Sequence, residues 1–251
     1  VTLGGMLIFR GILIGLSKGQ TVAPMSDSFK QIGNSYLPYI PGYILAVISI
    51  GLLVFWTLKN RKKRQQMGLM VSAAALDYGK IGIYSFFILL GTYMLNRYMG
   101  MPIPILIVVL FAAIFIFISN KTAFGRSIYA LGGNQEAAAL SGINIKRNTL
   151  WVFITMGGLA GVAGVLLTSR LNAATVSAGD MYELDAIAAC VIGGTSLVGG
   201  RGKIVGALIG ALIMASIDNG MSMMNIQAFW QYIVKGLILI VAVWIDISSK
   251  K

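Results

Sequence analysis

Long apolar runs separated by shorter polar segments dominate the chain. Residues 1–17 are apolar except for Arg10 and predict the end of a membrane span, and residues 18–42 predict a polar external loop with three prolines. A helix needs about 17–25 apolar residues to cross a bilayer. Runs of that length predict further spans at residues 42–58, 81–99, 102–119, 150–169 and 229–247. The pattern is typical of an all-α, polytopic transmembrane helical bundle.

Residues 185–217 do not fit this simple pattern. Two apolar pieces of only about 14 residues each, too short for an ordinary span, are separated by the basic segment 201–203. Glycine pairs at 193–194 and 199–200 interrupt the first piece. Broken or re-entrant helices are tolerated where protein buries them or where they line a cavity. We therefore expect a Gly-rich broken or re-entrant element here.

Composition and charge support a membrane location. Hydrophobic residues make up 57% of the chain and charged residues 11%, against about 45–50% and 25% in soluble domains. The net charge of +12 does not indicate a nucleic-acid partner, because the cations lie between apolar runs and not among aromatics along a groove. The positive-inside rule assigns the segments 59–80, 121–149, 201–203 and 248–251, which hold most of the cations, to the cytoplasm.

The residues for catalysis or cofactor binding are missing from the sequence. Cys190 is the only cysteine and there is no histidine, which excludes an internal disulfide and a His/Cys zinc site. The Gly-rich run 193–203 is not a phosphate-binding loop, since Leu197 stands where glycine is required and Ile204 where Ser or Thr is required. The acids within 180–185 lie in a loop and at a helix start, where they favour the helix dipole. We expect no catalytic residue, no metal and no cofactor bound by this chain.

Two cations, Arg10 and Lys235, lie within predicted spans. An ionisable side chain there costs about 2.5–3.5 kcal/mol and usually faces the bundle interior or a cavity, although a long side chain can also reach the interface. Asp218, Asn219 and Gln231 lie among aromatic residues near one membrane face. They indicate either an interfacial belt with loop caps, which we favour, or a translocation pathway that includes Lys235.

Small residues recur every four positions in two places. Gly202, Gly206 and Gly210 form one stripe, and Gly157 and Gly161 form another. Such stripes let transmembrane helices approach closely. We expect internal packing of the bundle, with a dimer-facing or pathway-facing role as the alternative.

The polar segment 125–144 predicts a short capped helix between two spans. Asn134 suits an N-cap, Glu136 favours the positive end of the helix, residues 137–139 are alanines, and Gly142 suits a C′ position. We expect about two turns with small residues on the surface and Lys146-Arg147 directly behind. Such a helix fits an element that a cytoplasmic partner grips.

This segment resembles the coupling helix of the permease subunits of bacterial ABC sugar importers, of the ribose, xylose and arabinose type. The likeness covers the whole chain, is greatest to the xylose type and is strongest over residues 124–246, whereas residues 43–119 match only in hydropathy. Further matching stretches lie at residues 9–15, 35–38, 184–196, 218–224 and 229–236. The residues in step with the coupling-helix pattern are Gly133, Asn134, Ala137, Ala138, Ser141, Gly142 and Ile143.

The resemblance implies one transmembrane permease domain over 1–251, a fragment lacking N-terminal spans, with a coupling helix at 134–142. It implies a homodimer in the bacterial inner membrane, a periplasmic sugar-binding protein, and a separate ATPase that binds ATP and Mg. The transported sugar would be a monosaccharide, D-xylose, moved into the cytoplasm by alternating access. The expected ATPase-coupling residues are Gly133, Asn134, Glu136, Ala137, Ala138, Ser141 and Gly142.

Two other classes remain as alternatives. A channel or an ion-coupled carrier would work without an ATPase, but no series of Asp, Glu or His runs through the spans. A membrane enzyme would need a catalytic pair that the sequence does not contain.

Overall fold

The computed structural model describes residues 2–68 and 74–248, and Lys250 and Lys251 of the predicted basic tail lie outside them. Six helices of the described part are long and apolar enough to cross a membrane. The elements are α1 (Thr2–Ser17), α2 (Asp27–Asn34), β1 (Tyr36–Leu37), α3 (Tyr39–Gln66), α4 (Ala74–Tyr98), β2 (Met101–Pro102), α5 (Ile103–Lys121), α6 (Ala123–Gly133), α7 (Gln135–Leu140), α8 (Ile145–Leu171), α9 (Tyr182–Ile192), α10 (Ile204–Met223) and α11 (Ala228–Ser248). The prediction of an all-α polytopic bundle is confirmed.

Several helices extend beyond the spans predicted from the sequence: α4 begins at Ala74 and not at 81, and α8 begins at Ile145 and not at 150. Helix α3 continues past residue 58 through the basic run to Gln66, because Lys, Arg and Gln are good helix formers. Helix α10 continues to Met223, so the expectation of a second piece too short to span was wrong. The sequence prediction ended the second apolar piece before the charged residue Asp218. In the structure α10 continues past Asp218, whose carboxylate pairs with Lys235.

The first of two compact units is formed by Ser26–Ile107. Its helices α3 and α4 run antiparallel, joined at one end by an Arg61–Asp77 ion pair of 3.2 Å. At the other end β1 pairs with β2. The buried side chain of Asn96 lies over Gly42, where an added Cβ would stand 3.0 Å from the Asn96 Oδ1 atom. Glycine at this position therefore allows the two helices to pack closely.

The second unit comprises Val1–Met25 and Val108–Lys251, and its core is a tight antiparallel pair of α9 and α10. A Cβ on Gly206 would collide with the carbonyl of Gly193, and a Cβ on Gly210 with the carbonyl of Ala189. Ala188, Ala189 and Met214 are buried between these helices and α11. The prediction that this glycine stripe serves internal packing is confirmed.

The glycines of α8 behave differently. Apart from the neighbouring backbone of α8 itself, no described atom lies within 4 Å of the Cβ position of Gly157 or Gly161. This stripe of α8 is therefore open within the described part of the chain, in contrast to the packing expected from the sequence.

Helix α9 is short and ends where the sequence predicts a break. It stops at Ile192, and Gly194 follows with a left-handed φ of +83°, a conformation that glycine adopts at no steric cost. Since α9 and α10 are antiparallel, the connecting residues 193–203 reach the same end of the unit as α6 and α7: the backbone of Gly200 contacts that of Gly132. At the opposite end, Val22 and Ala174 exchange backbone hydrogen bonds of 2.9 and 3.0 Å. Within this unit, the structure thus places residues 193–203 at the same end as the segment 121–149, as the charge pattern predicted.

Candidate functional site

Helix α7 is the short helix predicted from the sequence, and its start is capped as expected. The Asn134 side-chain Oδ1 accepts a hydrogen bond of 2.9 Å from the backbone N–H of Ala137. The same residue ends α6, so the chain changes direction between the two helices at one position. Glu136 lies in the first turn, where its charge favours the positive end of the helix dipole.

The end of α7 is also fixed by a defined motif. The backbone N–H of Gly142 donates to Ala139 O at 3.0 Å and that of Ile143 donates to Ala138 O at 3.1 Å. Together with the Gly142 φ of +81°, these bonds form a Schellman cap. Asn144 then caps α8 by accepting from the Arg147 N–H at 3.0 Å. Both ends of α7 are thus attached to α6 and α8 without a flexible connection.

The exposure of α7 corrects one prediction. Ala138 is only 4% exposed, so it is not one of the small surface residues that a partner would touch. It is the buried residue of α7, which packs between α6 and α8. The outward face instead carries Glu136, Ala137 and Ala139, which are exposed.

Leu140 was missed by the sequence reasoning. It is the last residue of α7 and is 90% exposed. Nearly the whole apolar side chain is therefore available to be removed from water by a partner. The sequence signal was present, since Leu140 is the one large apolar residue in the six-residue helix. The predicted helix, however, was identified from its caps and its alanines.

The glycine-rich connection 193–203 contacts the end of α6, the helix that leads into α7. Gly199 and Gly200 have φ values of +99° and +72° and press their backbone against α6 at Gly132 and Gly133. The Tyr129 hydroxyl of α6 donates to Gly202 O at 2.9 Å. The connection is therefore joined to α6 both by glycine backbone contacts and by the Tyr129 side chain.

Asp246 near the end of α11 holds the same connection from the other side. Its Oδ2 atom accepts from the Leu197 N–H at 3.0 Å and from the Ser196 hydroxyl at 3.3 Å. This role was not predicted from the sequence, because Asp246 lies in an apolar span fifty residues after Ser196. The connection thus joins α6 to α11.

A cluster of three charged side chains lies at the other end of α9, α10 and α11. The Lys235 Nζ atom is 2.7 Å from Asp185 Oδ2 and 2.9 Å from Asp218 Oδ2. The side chains of Lys235 and Asp185 are 20% and 19% exposed, and that of Asp218 is 34% exposed. Each residue comes from a different helix, so the cluster joins all three.

The four candidate pathway residues are only partly brought together. Lys235 and Asp218 form an ion pair, but Asn219 is exposed on α10 and Gln231 donates to Ile226 O at 2.8 Å. Asp185, which the sequence reasoning related only to the helix dipole, is the better partner of Lys235. The second cation expected at membrane depth, Arg10, forms a 3.0 Å ion pair with Asp180, and both side chains are about half-exposed.

The described residues include no group of three His, Cys, Asp or Glu side chains that could hold a metal ion. The Gly-rich run follows a helix, α9, and not a strand, in agreement with the argument that it is not a phosphate-binding loop. Fold and surface together define a multi-pass helical membrane protein with a short, capped helix whose outer face is exposed.

Residues 1–243 match the family described as branched-chain amino acid transport system / permease component. The chain is 52% identical over its full length to the xylose transport system permease protein XylH of Haemophilus influenzae and 51% identical to that of Escherichia coli. It spans 67% and 64% of those two proteins. Over 149 residues, 59% of this chain and 46% of the relative, it is 47% identical to the ribose import permease protein RbsC of Bacillus subtilis. No solved structure matches the chain.

The chain therefore belongs to this family of membrane permease components, and the resemblance to sugar-importer permeases is confirmed. The family is that of the permease part of a transport system, which agrees with the prediction of a transport subunit and not an enzyme.

Proposed function

We propose that this chain is the membrane-spanning part of an ATP-driven importer that moves a monosaccharide, D-xylose, into the cytoplasm of a bacterium by alternating access. The identity over the full chain to two xylose permeases is the observation that carries the choice of sugar. ATP and Mg bind to a separate ATPase subunit, a periplasmic protein delivers the sugar at the outer face of the inner membrane, and the permease works as a homodimer.

The geometry of α7 supports an ATPase as the partner. A surface that transmits motion must be exposed to the partner and rigidly attached to the spans. Helix α7 meets both conditions, because its two ends are capped and its outer face carries Leu140 at 90% exposure. The coupling surface therefore consists of the exposed face of α7 with Leu140 as its apolar anchor. Asn134, Ser141 and Gly142 shape the helix, and Ala138 holds it to the spans.

The charge arrangement favours this function over an ion-coupled carrier. Asp185 of α9, Asp218 of α10 and Lys235 of α11 are paired with each other, and no described series of ionisable side chains continues from them along the helices. We assign Lys235, Asp185 and Asp218 to holding the three helices together near the entry side. Asn219, which is exposed next to this cluster, is the remaining candidate for contact with sugar.

The function can be tested in vesicles that contain the intact permease subunit. Uptake of labelled xylose is measured with and without the ATPase subunit, ATP and the periplasmic binding protein. We expect uptake only when all are present, and competition by unlabelled xylose in preference to ribose. Equal uptake without the ATPase would instead favour the channel or carrier alternative.

The role of α7 is tested separately by Leu140→Arg, with Leu140→Met as the matched control. Because the side chain is exposed, neither change disturbs the fold. We expect the arginine variant to lose both ATPase co-purification and xylose uptake, and the methionine variant to retain them. Retention of both activities by the arginine variant would show that another surface contacts the ATPase.

A further inference from the structure

A cavity of about 500 Å³ lies among α5, α6, α8 and the connection 193–203. Its volume falls in the range of about 300–1,000 Å³ typical of ligand sites. Its walls are almost wholly apolar and include Phe115, Ile128, Val152 and Leu159. From Val152 to Leu159 the wall extends along α8 by about 10 Å, at 1.5 Å per residue, which is a large part of one leaflet of a bilayer.

Three of the hydroxyl groups in the walls, those of Ser119, Tyr129 and Thr155, already have partners within the protein. The Tyr129 hydroxyl bonds to Ser119 and to Gly202 O, both at 2.9 Å, and the Thr155 hydroxyl donates to Trp151 O at 2.7 Å. A sugar would leave its hydroxyl groups unpaired in such a cavity, which is costly. A hydrocarbon chain would match the walls.

Two cations, Arg201 and Lys203, line the same cavity. Both are exposed, and within the described residues neither forms a salt bridge. Lys203 also lines an adjoining cavity of about 390 Å³, whose walls include Asn120. The positive-inside rule assigns residues 201–203 to the cytoplasmic side. The cavity therefore combines an apolar interior with two unpaired positive charges at the level of the inner leaflet.

We propose that this cavity is a binding site for an anionic phospholipid of the inner leaflet. One acyl chain fills the apolar cavity, and the phosphate lies beside Arg201 and Lys203. Basic pockets between transmembrane helices on the cytoplasmic side are suited to anionic headgroups, and each cation near the surface contributes about a fivefold gain in binding. Since Gly132 at the end of α6 also lines the cavity, the lipid would contact the residues that lead into α7.

The test uses photoreactive phosphatidylglycerol and phosphatidylcholine, each with the reactive group on the acyl chain, in vesicles that contain the purified protein. Labelled peptides are identified by mass spectrometry. We expect phosphatidylglycerol to label residues 115–132, 152–159 and 199–207 more strongly than phosphatidylcholine does. Equal labelling by the two lipids would overturn the proposal, and so would an absence of label, which would show that another protein segment covers the cavity.

Two pairs of variants test the headgroup and the acyl chain separately. Arg201→Gln with Lys203→Gln is expected to weaken labelling by phosphatidylglycerol about 25-fold, from about fivefold for each cation. The matched control, Lys62→Gln with Lys63→Gln, removes two basic-run cations that do not line the cavity and should leave labelling unchanged. Equal loss of labelling in the two double variants would show that general surface charge attracts the lipid, and it would overturn the assignment.

The acyl-chain position is tested by filling the cavity. Ala207 lines it, whereas Ala211 lies one turn further along α10, is exposed, and does not line it. We expect Ala207→Phe to remove labelling within 152–159 and Ala211→Phe to preserve it. Unchanged labelling in the Ala207→Phe protein would show that the lipid lies elsewhere. None of these measurements needs the ATPase or sugar, so they stand apart from the proposed transport function.

Discussion

Truncation of Leu140 to alanine gives a quantitative test of the α7 surface. The change removes the carbon groups beyond Cβ, each of which contributes about 0.8 kcal/mol when it is transferred out of water. Because Leu140 is 90% exposed in the free permease, nearly all of this gain remains available for docking. The three groups together give about 2 kcal/mol, which corresponds to about a 30-fold loss of affinity for the ATPase.

The measurement is a titration of labelled ATPase subunit into permease held in lipid nanodiscs. Leu140→Met keeps the volume and apolar character, so we expect its affinity to lie within a few-fold of the original. The thermal unfolding of Leu140→Ala permease alone should be unchanged, because exposed substitutions usually alter stability by about 0.5 kcal/mol or less. This second measurement separates a loss of docking from a loss of folding.

One result would refute the reasoning directly. If the alanine variant binds the ATPase with the original affinity and also folds normally, Leu140 is not buried on docking. The exposed leucine would then be incidental, and the partner would contact another part of the cytoplasmic end.

Three further changes test the supporting structure. Asn134→Ala removes the N-cap of α7 and should cost about 1 kcal/mol of local stability, seen as faster amide exchange within 135–142, whereas Asn134→Asp should retain slow exchange. Lys235→Met leaves Asp185 and Asp218 without their cation and should lower the free energy of unfolding by about 3 kcal/mol, the cost of breaking such a partly buried pair. Changing both acids to Asn as well should restore the melting temperature if charge imbalance, and not lost packing, is the cause. Gly210→Val places side-chain atoms against the α9 backbone and should abolish folded yield in detergent, so a normal yield would contradict the close contact of α9 and α10.

The sequence was a good guide to every element whose signal is local. The apolar runs located the spans, and the caps of α7 were identified from Asn134 and Gly142, because capping depends on residues within one turn. The break after α9 was also foreseen, since paired glycines disfavour continued helix. These features need no knowledge of distant contacts.

Features that depend on contacts between distant segments were not predictable in the same way. The pairing of Lys235 with Asp185 and Asp218 joins positions up to fifty residues apart, and α10 continues past Asp218 where the prediction ended it before that residue. Ala138 shows the same limit on a smaller scale. Its alanine identity suits both a surface and a tight contact, and only the packing of α7 between α6 and α8 determines that it is buried.

The described contacts also explain how a force on α7 could reach the distant ion-pair cluster. Helix α6 leads directly into α7 and contacts the connection 193–203 through glycine backbone atoms. That connection is bonded to α11 at Asp246 and continues into the closely packed α9 and α10. Because each contact is either backbone-to-backbone or a direct hydrogen bond, little of a displacement would be absorbed by side-chain rotation. Opposite ends of α9, α10 and α11 are thus held by different means: glycine contacts and Asp246 on the α7 side, and Lys235 on the other.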